Sequence, residues 1–356
     1  MLKRWISIAL CLTLSLGVFA GCGGNEDPVE SAAATEEQKA EEEKAEEPAP
    51  DEASSEEEAA EPGKTFNVGI TFSDLSNPVW AELVQESQRY GEEKNLKVTY
   101  VDAQSDASKQ VTQIENFIQS EMDAIIICAV EANAIADVTK QAKEAGIKVI
   151  AYTQVIENYD SQYLVDPYNT GYACGKRAAE WINEVYGNEE VVEWALMDLP
   201  IFPEIIERAD GIKAGMEENA KNTKLVATAS ALTAEEGLKN AENFLQSNPN
   251  LKAIACIGGG GSVGGNEGIK ASGITDFESI GLFGIDATEE EILNIIKADP
   301  QKSSISLGGG KAHGRTLIDM AYGLLNGETV EDTVYMPIEV IDKSNAQAYY
   351  DEVYAK

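Results

Sequence analysis

The sequence predicts an α/β protein built as two doubly wound parallel-sheet lobes with a ligand cleft between them, and three observations lead there. The first is the stretch from Asp123 to Thr153, DAIIICAVEANAIADVTKQAKEAGIKVIAYT. An unbroken apolar run from Ala124 to Cys128 precedes a segment with Ile135, Val138, Ala142 and Ala145 at helical spacing; Gly146 stops it, and a second apolar run spans Lys148 to Tyr152. Two short runs that do not alternate read as strands buried on both faces, and a helix between them makes a βαβ crossover. The second observation is that this rhythm recurs from Phe66 to about Leu325. The third is the number of strands so generated, which suits two sheets better than one. Parallel sheets carry their functional loops at the carboxyl ends of their strands, so the residues just after each apolar run are the candidates for function.

Residues 1–21 read as an export signal, with Lys3 and Arg4, an apolar core from Ile6 to Phe19, and the small pair Ala20 and Gly21. The apolar core is short for a bilayer-spanning helix. Phe19-Ala20-Gly21-Cys22 resembles the lipobox of bacterial lipoproteins, with Phe19 in place of the usual Leu or Val. Cys22 is therefore the expected lipidation site, and the protein is expected to be exported and tethered to the outer face of the membrane. From Gly23 to Lys64 the composition turns to Glu, Ala, Pro and Ser. Such a segment buries too little surface to offset its ordering entropy and is expected to be a disordered spacer, about 35 Å in reach as a flexible coil.

The formal net charge of -35 comes from 62 Asp and Glu against 27 Lys and Arg. Phosphate backbones demand clustered Lys and Arg, and no cluster is present, which argues against a nucleic-acid partner. Of the five cysteines, Cys11 lies in the signal and Cys22 at the lipobox, while Cys128, Cys174 and Cys256 read as small core residues. No zinc-type ligand spacing occurs, His313 being the only histidine, so neither metal nor cofactor is expected.

In the body, strands are expected over 67–72, 97–102, 124–128, 148–152, 191–198, 224–229, 253–257, 279–283, 303–307 and 333–341. Amphipathic helices are expected over 78–94, 169–186, 203–219, 235–247, 289–298 and 311–325, among others. A cleft between two such lobes is the default ligand site.

Three constellations suggest chemistry. Gly260-Gly261-Ser262-Val263-Gly264 satisfies G-x-S-x-G between a strand and a helix and precedes Asp286 and His313 in the Ser, Asp, His order of α/β-hydrolases. A serine hydrolase is therefore an alternative, although any short pattern matches cheaply in a glycine-rich run. Gly259, Gly261 and Gly264 formally satisfy a dinucleotide fingerprint but come late in the chain. The run Gly308-Gly309-Gly310-Lys311 lacks the upstream glycine and the Ser or Thr of a P-loop. Both runs follow a strand and open a helix, where bare N–H groups can face a ligand or an anion.

The order of VGITFSDLSNPVW (68–80), AIIICAVEANA, AGIKVIAYTQ, GLFGIDATEEEI (281–292) and LLNGE (324–328) resembles the type I periplasmic binding proteins, in particular the sugar-binding group of ABC transporters. This resemblance covers essentially the whole body and implies no enzymatic activity. It implies two lobes joined by three hinge crossings that close on one small ligand and then dock on a membrane permease, the protein acting as a monomer. Lobe one would comprise 65–166 and 308–337, and lobe two 167–307 and 338–356. The resemblance further implies ligand contacts at Ser73 and Asn77, a ring stacked on a sugar face at Trp80, an acidic ligand at Asp286, and further positions at Glu131, Phe202 and Glu204. Arg208 corresponds to an arginine of mainly structural role.

Departures from the family pattern leave Thr153-Gln154 where sugar binders carry Asp-Arg, Gly258-Gly259 where they carry Asn-Asp, Gly308 in place of a hinge Gln or Asn, and Ile206 in place of an arginine. Two outcomes follow. Either a carbohydrate or polyol is held by Asn77, Gln154, Glu204 and Asp286 with backbone groups, or a nucleoside or acid sits on the glycine-rich helix starts. The first suits Trp80 and the surviving acids better. A sensor presenting its closed form to a receptor would share all these features.

Overall fold

The computed structural model describes residues 64–75, 78–187 and 190–355, all within one compact unit. The signal, Cys22 and the spacer lie outside the described residues, as does Asn77.

Two six-stranded sheets carry the fold, and they share one strand order. In the first, β2 (Leu96–Asp102), β1 (Phe66–Phe72), β3 (Ala124–Ile127), β4 (Lys148–Tyr152), β5 (Ser161–Leu164) and β11 (Thr333–Tyr335) lie side by side, all parallel. In the second, the corresponding row is β7 (Thr223–Ser230), β6 (Val192–Asp198), β8 (Leu251–Cys256), β9 (Gly281–Ile285), β10 (Gln301–Ser306) and β12 (Glu339–Asp342). Only the β10–β12 pair is antiparallel. Strand order reverses beside β1 in one sheet and beside β6 in the other, and such a switch point opens a crevice at the strands' carboxyl ends.

Both faces of each sheet are covered, which is why the strands read as continuous apolar runs. Alternate residues of one strand serve different cores: Val68, Ile70, Ile126 and Ile150 pack on one side of the first sheet, Ile125, Ile127 and Val149 on the other. Trp194, Leu196, Ala255 and Phe283 divide from Ala195, Met197, Ile254 and Leu282 in the same way. The first sheet is flanked by α1 (Pro78–Glu93), α2 (Ala107–Gln119), α3 (Ala136–Glu144) and α9 (Gly310–Leu325). The second is flanked by α4 (Pro167–Tyr186), α5 (Pro203–Asn219), α6 (Ala234–Ser247), α7 (Gly259–Ala271), α8 (Glu289–Ile296) and α10 (Ala346–Val353). Capping boxes, Thr233 with Glu236 and Thr288 with Glu291, fix where α6 and α8 begin.

The structure departs from the sequence expectation in three places. Residues 333–341 are two strands in different sheets, because Pro337 has no N–H to continue a ladder and the chain crosses there between lobes. β5 was not expected: Ser161-Gln162-Tyr163-Leu164 is short and half polar, and its polar groups are matched from outside, Ser161 Oγ donating to Glu331 O at 2.6 Å and Gln162 N to Asp332 O at 3.0 Å. The third concerns the glycine run of α7. A Cβ at Gly260, Gly264 or Gly268 would lie 2.0, 1.9 or 2.6 Å from the carbonyl oxygens of Leu232, Ala234 and Leu238. These glycines, four residues apart, form the face on which α6 packs at backbone contact. The α4–α5 contact uses the same device: a Cβ on Gly171 or Gly175 would meet the carbonyl oxygens of Arg208 and Ile212, and one on Gly211 or Gly215 those of Tyr168 and Tyr172.

Candidate functional site

In the first lobe the carboxyl ends of β1, β3 and β4, neighbours in the sheet, are tied by polar atoms. Ser73 Oγ lies 3.6 Å from Cys128 Sγ, which lies 3.5 Å from Thr153 Oγ1. Cys128, read from sequence as core, thus also bridges two candidate ligand residues. The loop beyond β3 is held by buried Gln110, which donates to Cys128 O at 2.9 Å and accepts from Val130 N at 2.7 Å. The loop beyond β1 is held by Asp102, which accepts from Leu75 N at 3.3 Å and Gln104 N at 2.9 Å.

Trp80 stands half-buried near the start of α1, its ring tilted on Phe72 with centroids 5.6 Å apart. It packs against the core cluster that contains Tyr152, a residue whose burial drives its pKa well above the ordinary tyrosine value. Behind them Tyr152 stacks on Tyr163 at 6.0 Å, and Tyr163 Oη lies 3.1 Å from Nδ1 of His313. Tyr152, Tyr163 and His313 were not recognised from the sequence as one group; they come from two strands and a distant helix, and no local motif links them. Glu131 and Gln154 are exposed on the loops after β3 and β4.

The second lobe presents a different chemistry. Asp286, just past β9, accepts from Gly259 N at 2.8 Å through Oδ2, while its Oδ1 stands 3.9 Å from Nη1 of Arg208. Arg208 Nη1 also donates to Ile257 O at 2.9 Å, so the arginine braces the β8 loop as well as the carboxylate. Burial raises the pKa of Asp286, opposed by the Gly259 N–H and the Arg208 charge. Behind it Glu291 is fully buried and accepts from Ser262 Oγ, from Ser304 Oγ at 3.0 Å and from Thr288 N at 2.9 Å. Burial pushes Glu291 up to about 7. Asp198 ends β6, and its Oδ1 accepts from Leu199 N at 2.6 Å. Beyond it Phe202, 55% exposed, and Glu204 open α5.

Backbone strain marks two of these positions. Thr153 has φ 67°, and Asp286 and Ala287 have φ 102° and 46°, conformations that L side chains avoid and that surrounding contacts must hold. Ala287 is so held, by Ser304 Oγ on its N–H at 2.9 Å and Tyr354 Oη on its carbonyl at 2.7 Å. Gly308, where the chain leaves β10 for the first lobe, has φ 94°.

The hydrolase constellation is not assembled. Ser262 is buried and donates to Glu291, Asp286 is engaged by Gly259, and His313 sits in the other lobe against Tyr163. The dinucleotide pattern is taken up by packing: Gly264 and the backbone of Gly261 lie against α6, and Gly259 lies against Thr288 and Asp286. The start of α7 also carries the Asp286 carboxylate on its first N–H, with a second carboxyl group behind, and this is a poor seat for an anion.

A family model described as a periplasmic binding protein domain matches residues 68–329. The ribose import binding protein of Bacillus subtilis is 27% identical over 280 residues, covering 78% of this chain and 87% of its own. A xylitol-binding protein of Mycolicibacterium smegmatis is 23% identical, covering 81% of this chain and 80% of its own. Among solved structures, an ABC transporter solute-binding protein of Actinobacillus succinogenes with bound D-allose superposes with a TM-score of 0.64 at 21% identity, over 80% of this chain and all of that one. With its paired six-stranded sheets and the match across most of its length, this chain belongs to the periplasmic binding protein family.

Proposed function

We propose that this protein binds a small neutral carbohydrate or polyol between its lobes, closes on it, and delivers it to the permease of an ABC importer. The observation that carries the reading is the complementarity of the two strand-end surfaces. The first lobe offers an aromatic surface, Trp80 tilted on Phe72 and packed against the cluster that holds Tyr152, and the second a carboxylate, Asp286, oriented by Arg208 and Gly259. A pyranose or cyclic polyol has C–H faces for the ring and hydroxyls that donate to a carboxylate. Ser73, Asn77, Glu131, Thr153 and Gln154 would line one side, Phe202, Glu204, Gly258 and Asp286 the other, with Gly308 at the hinge. Closure is then favoured only by a ligand that touches both. The relatives that bind ribose and xylitol, and the neighbour holding D-allose, support this ligand class.

The test is a thermal-shift screen of the purified protein with ribose, xylose, xylitol, allose, myo-inositol, adenosine and small dicarboxylates. A ligand at a hundred times its dissociation constant adds about 2.7 kcal/mol of stability. A selective shift with one sugar or polyol, abolished in Asp286→Ala, is the expected result. A shift with adenosine or an acid, and none with any sugar, overturns the assignment. We further propose that Cys22 is lipidated and holds the protein at the outer face of the membrane, the acidic spacer setting its distance. Metabolic labelling with an alkynyl fatty acid should mark the protein and fail to mark Cys22→Ala; labelling that survives the substitution overturns it.

A further inference from the structure

The chain passes between the lobes at three places, after Leu164, after Ser306 and between Tyr335 and Glu339. These crossings meet. Met336 N donates to Leu164 O at 2.8 Å, joining the third crossing to the first. A Cβ on Gly308 would stand 3.2 Å from Pro337 Cγ, which brings the second crossing against the third. The same point lies 3.3 Å from Cε1 of His313, in the first turn of α9. His313 is 4% exposed, and its Nδ1 faces the hydroxyl of Tyr163, two residues before the first crossing begins.

A neutral imidazole has one N–H to give and one nitrogen to accept with. Here Nδ1 pairs with the Tyr163 hydroxyl, and the edge of the ring lies against the Gly308 backbone. Burial keeps the ring neutral, lowering its pKa to about 4. Tyr163 in turn stacks on Tyr152, in the cluster against which Trp80 packs, so the ring stands between that aromatic group and the point where the crossings converge.

We propose that His313 is a hinge-positioning residue: bonded to Tyr163 in the strand that feeds the first crossing and packed against Gly308 of the second, it sets the resting angle between the lobes. A residue that merely fills the core would support lobe stability and leave the interlobe distribution unchanged. A hinge staple governs that distribution even without ligand, so the inference does not depend on which solute the cleft accepts.

The experiment places spin labels, through an orthogonal unnatural amino acid, at exposed Lys140 in α3 and Glu242 in α6 of the full chain. The interlobe distance distribution is then recorded without ligand. His313→Phe keeps a ring and removes the bond to Tyr163; it is expected to broaden the distribution. Tyr163→Phe should broaden it less, and the double variant no more than His313→Phe alone, as for partners in one interaction. His313→Gln retains a donor and an acceptor and should restore most of the parent width. Folded His313→Phe protein with the parent distribution overturns the proposal, as does a Gln variant as broad as the Phe variant. Should His313→Phe not fold, Tyr163→Phe decides: broadening supports the staple, and an unchanged width refutes it.

Discussion

The two lobes share one strand order, yet the surfaces at their strand ends are built of different chemistry. In the first, the group behind the site is aromatic and neutral: Trp80, Tyr152, Tyr163 and a histidine kept uncharged by burial. In the second it is carboxylic, with Asp286 on a helix start and Glu291 buried behind it, among glycines and one arginine. The same scaffold thus carries an aromatic surface in one lobe and a carboxylic one in the other. Strand topology locates a site, while the residues after each strand decide what the site can hold.

The sharpest way to break this comparison is Asp286→Ala. It removes the carboxylate that Gly259 N–H and Arg208 share, and leaves a largely buried guanidinium, 13% exposed, without that charge. Affinity for the solute found in the screen should fall by about 2–4 kcal/mol, roughly 30- to 1000-fold, by titration calorimetry. An effect below threefold would mean the second lobe does not contribute through its carboxylate.

The buried titratable groups sharpen the contrast, because they oppose each other in pH. Glu291, raised to about 7, binds a proton more readily folded than unfolded, so its contribution is present at low pH and is lost as pH rises from about 4.5 through 7. His313, lowered to about 4, binds its proton more readily unfolded, so its contribution is full above about 6.5 and is lost as pH falls towards 4. Urea unfolding between pH 5 and 6.5 should therefore show, relative to the parent, stability falling on acidification in Glu291→Gln and falling on alkalinisation in His313→Gln. The slopes should approach about 1.4 kcal/mol per pH unit. Parallel profiles for all three proteins would contradict the assignment.

Smaller effects follow. Gly264→Ala places a Cβ against the Ala234 carbonyl and should cost about 1–3 kcal/mol of stability by chemical denaturation. Trp80→Ala should weaken sugar binding by about 1–2 kcal/mol, and lower the melting temperature too, since the ring also packs on Phe72. Gln154→Ala, at an exposed rim position, should change affinity by about 0.5 kcal/mol or less. A larger loss there would move weight from the aromatic surface to the rim.

Much of the framework was legible because burial on both faces of a parallel strand leaves a continuous apolar run, as at Ala124–Ile127, and caps announce helix starts, as at Thr288 with Glu291. β5 was not legible, since Ser161 and Gln162 are matched by residues about 170 positions away. The glycine run of α7 was legible as a run and misleading as a motif: its four-residue spacing fits a close helix contact, but the sequence does not name α6 as the partner. Asp286 stood out as an acid after a strand, whereas its grip on Gly259 and Arg208 emerged only from the fold.

What the sequence by itself determined is the alternation of strands and helices and the two-lobe architecture. Those follow from local periodicity, which records how each residue meets solvent. Only the tertiary structure decided that the glycines pack helices, that Ser262 serves Glu291, and that the single histidine sits where three crossings meet. Each of these depends on which distant segments the sheet order makes neighbours, and spacing along the chain does not encode that order.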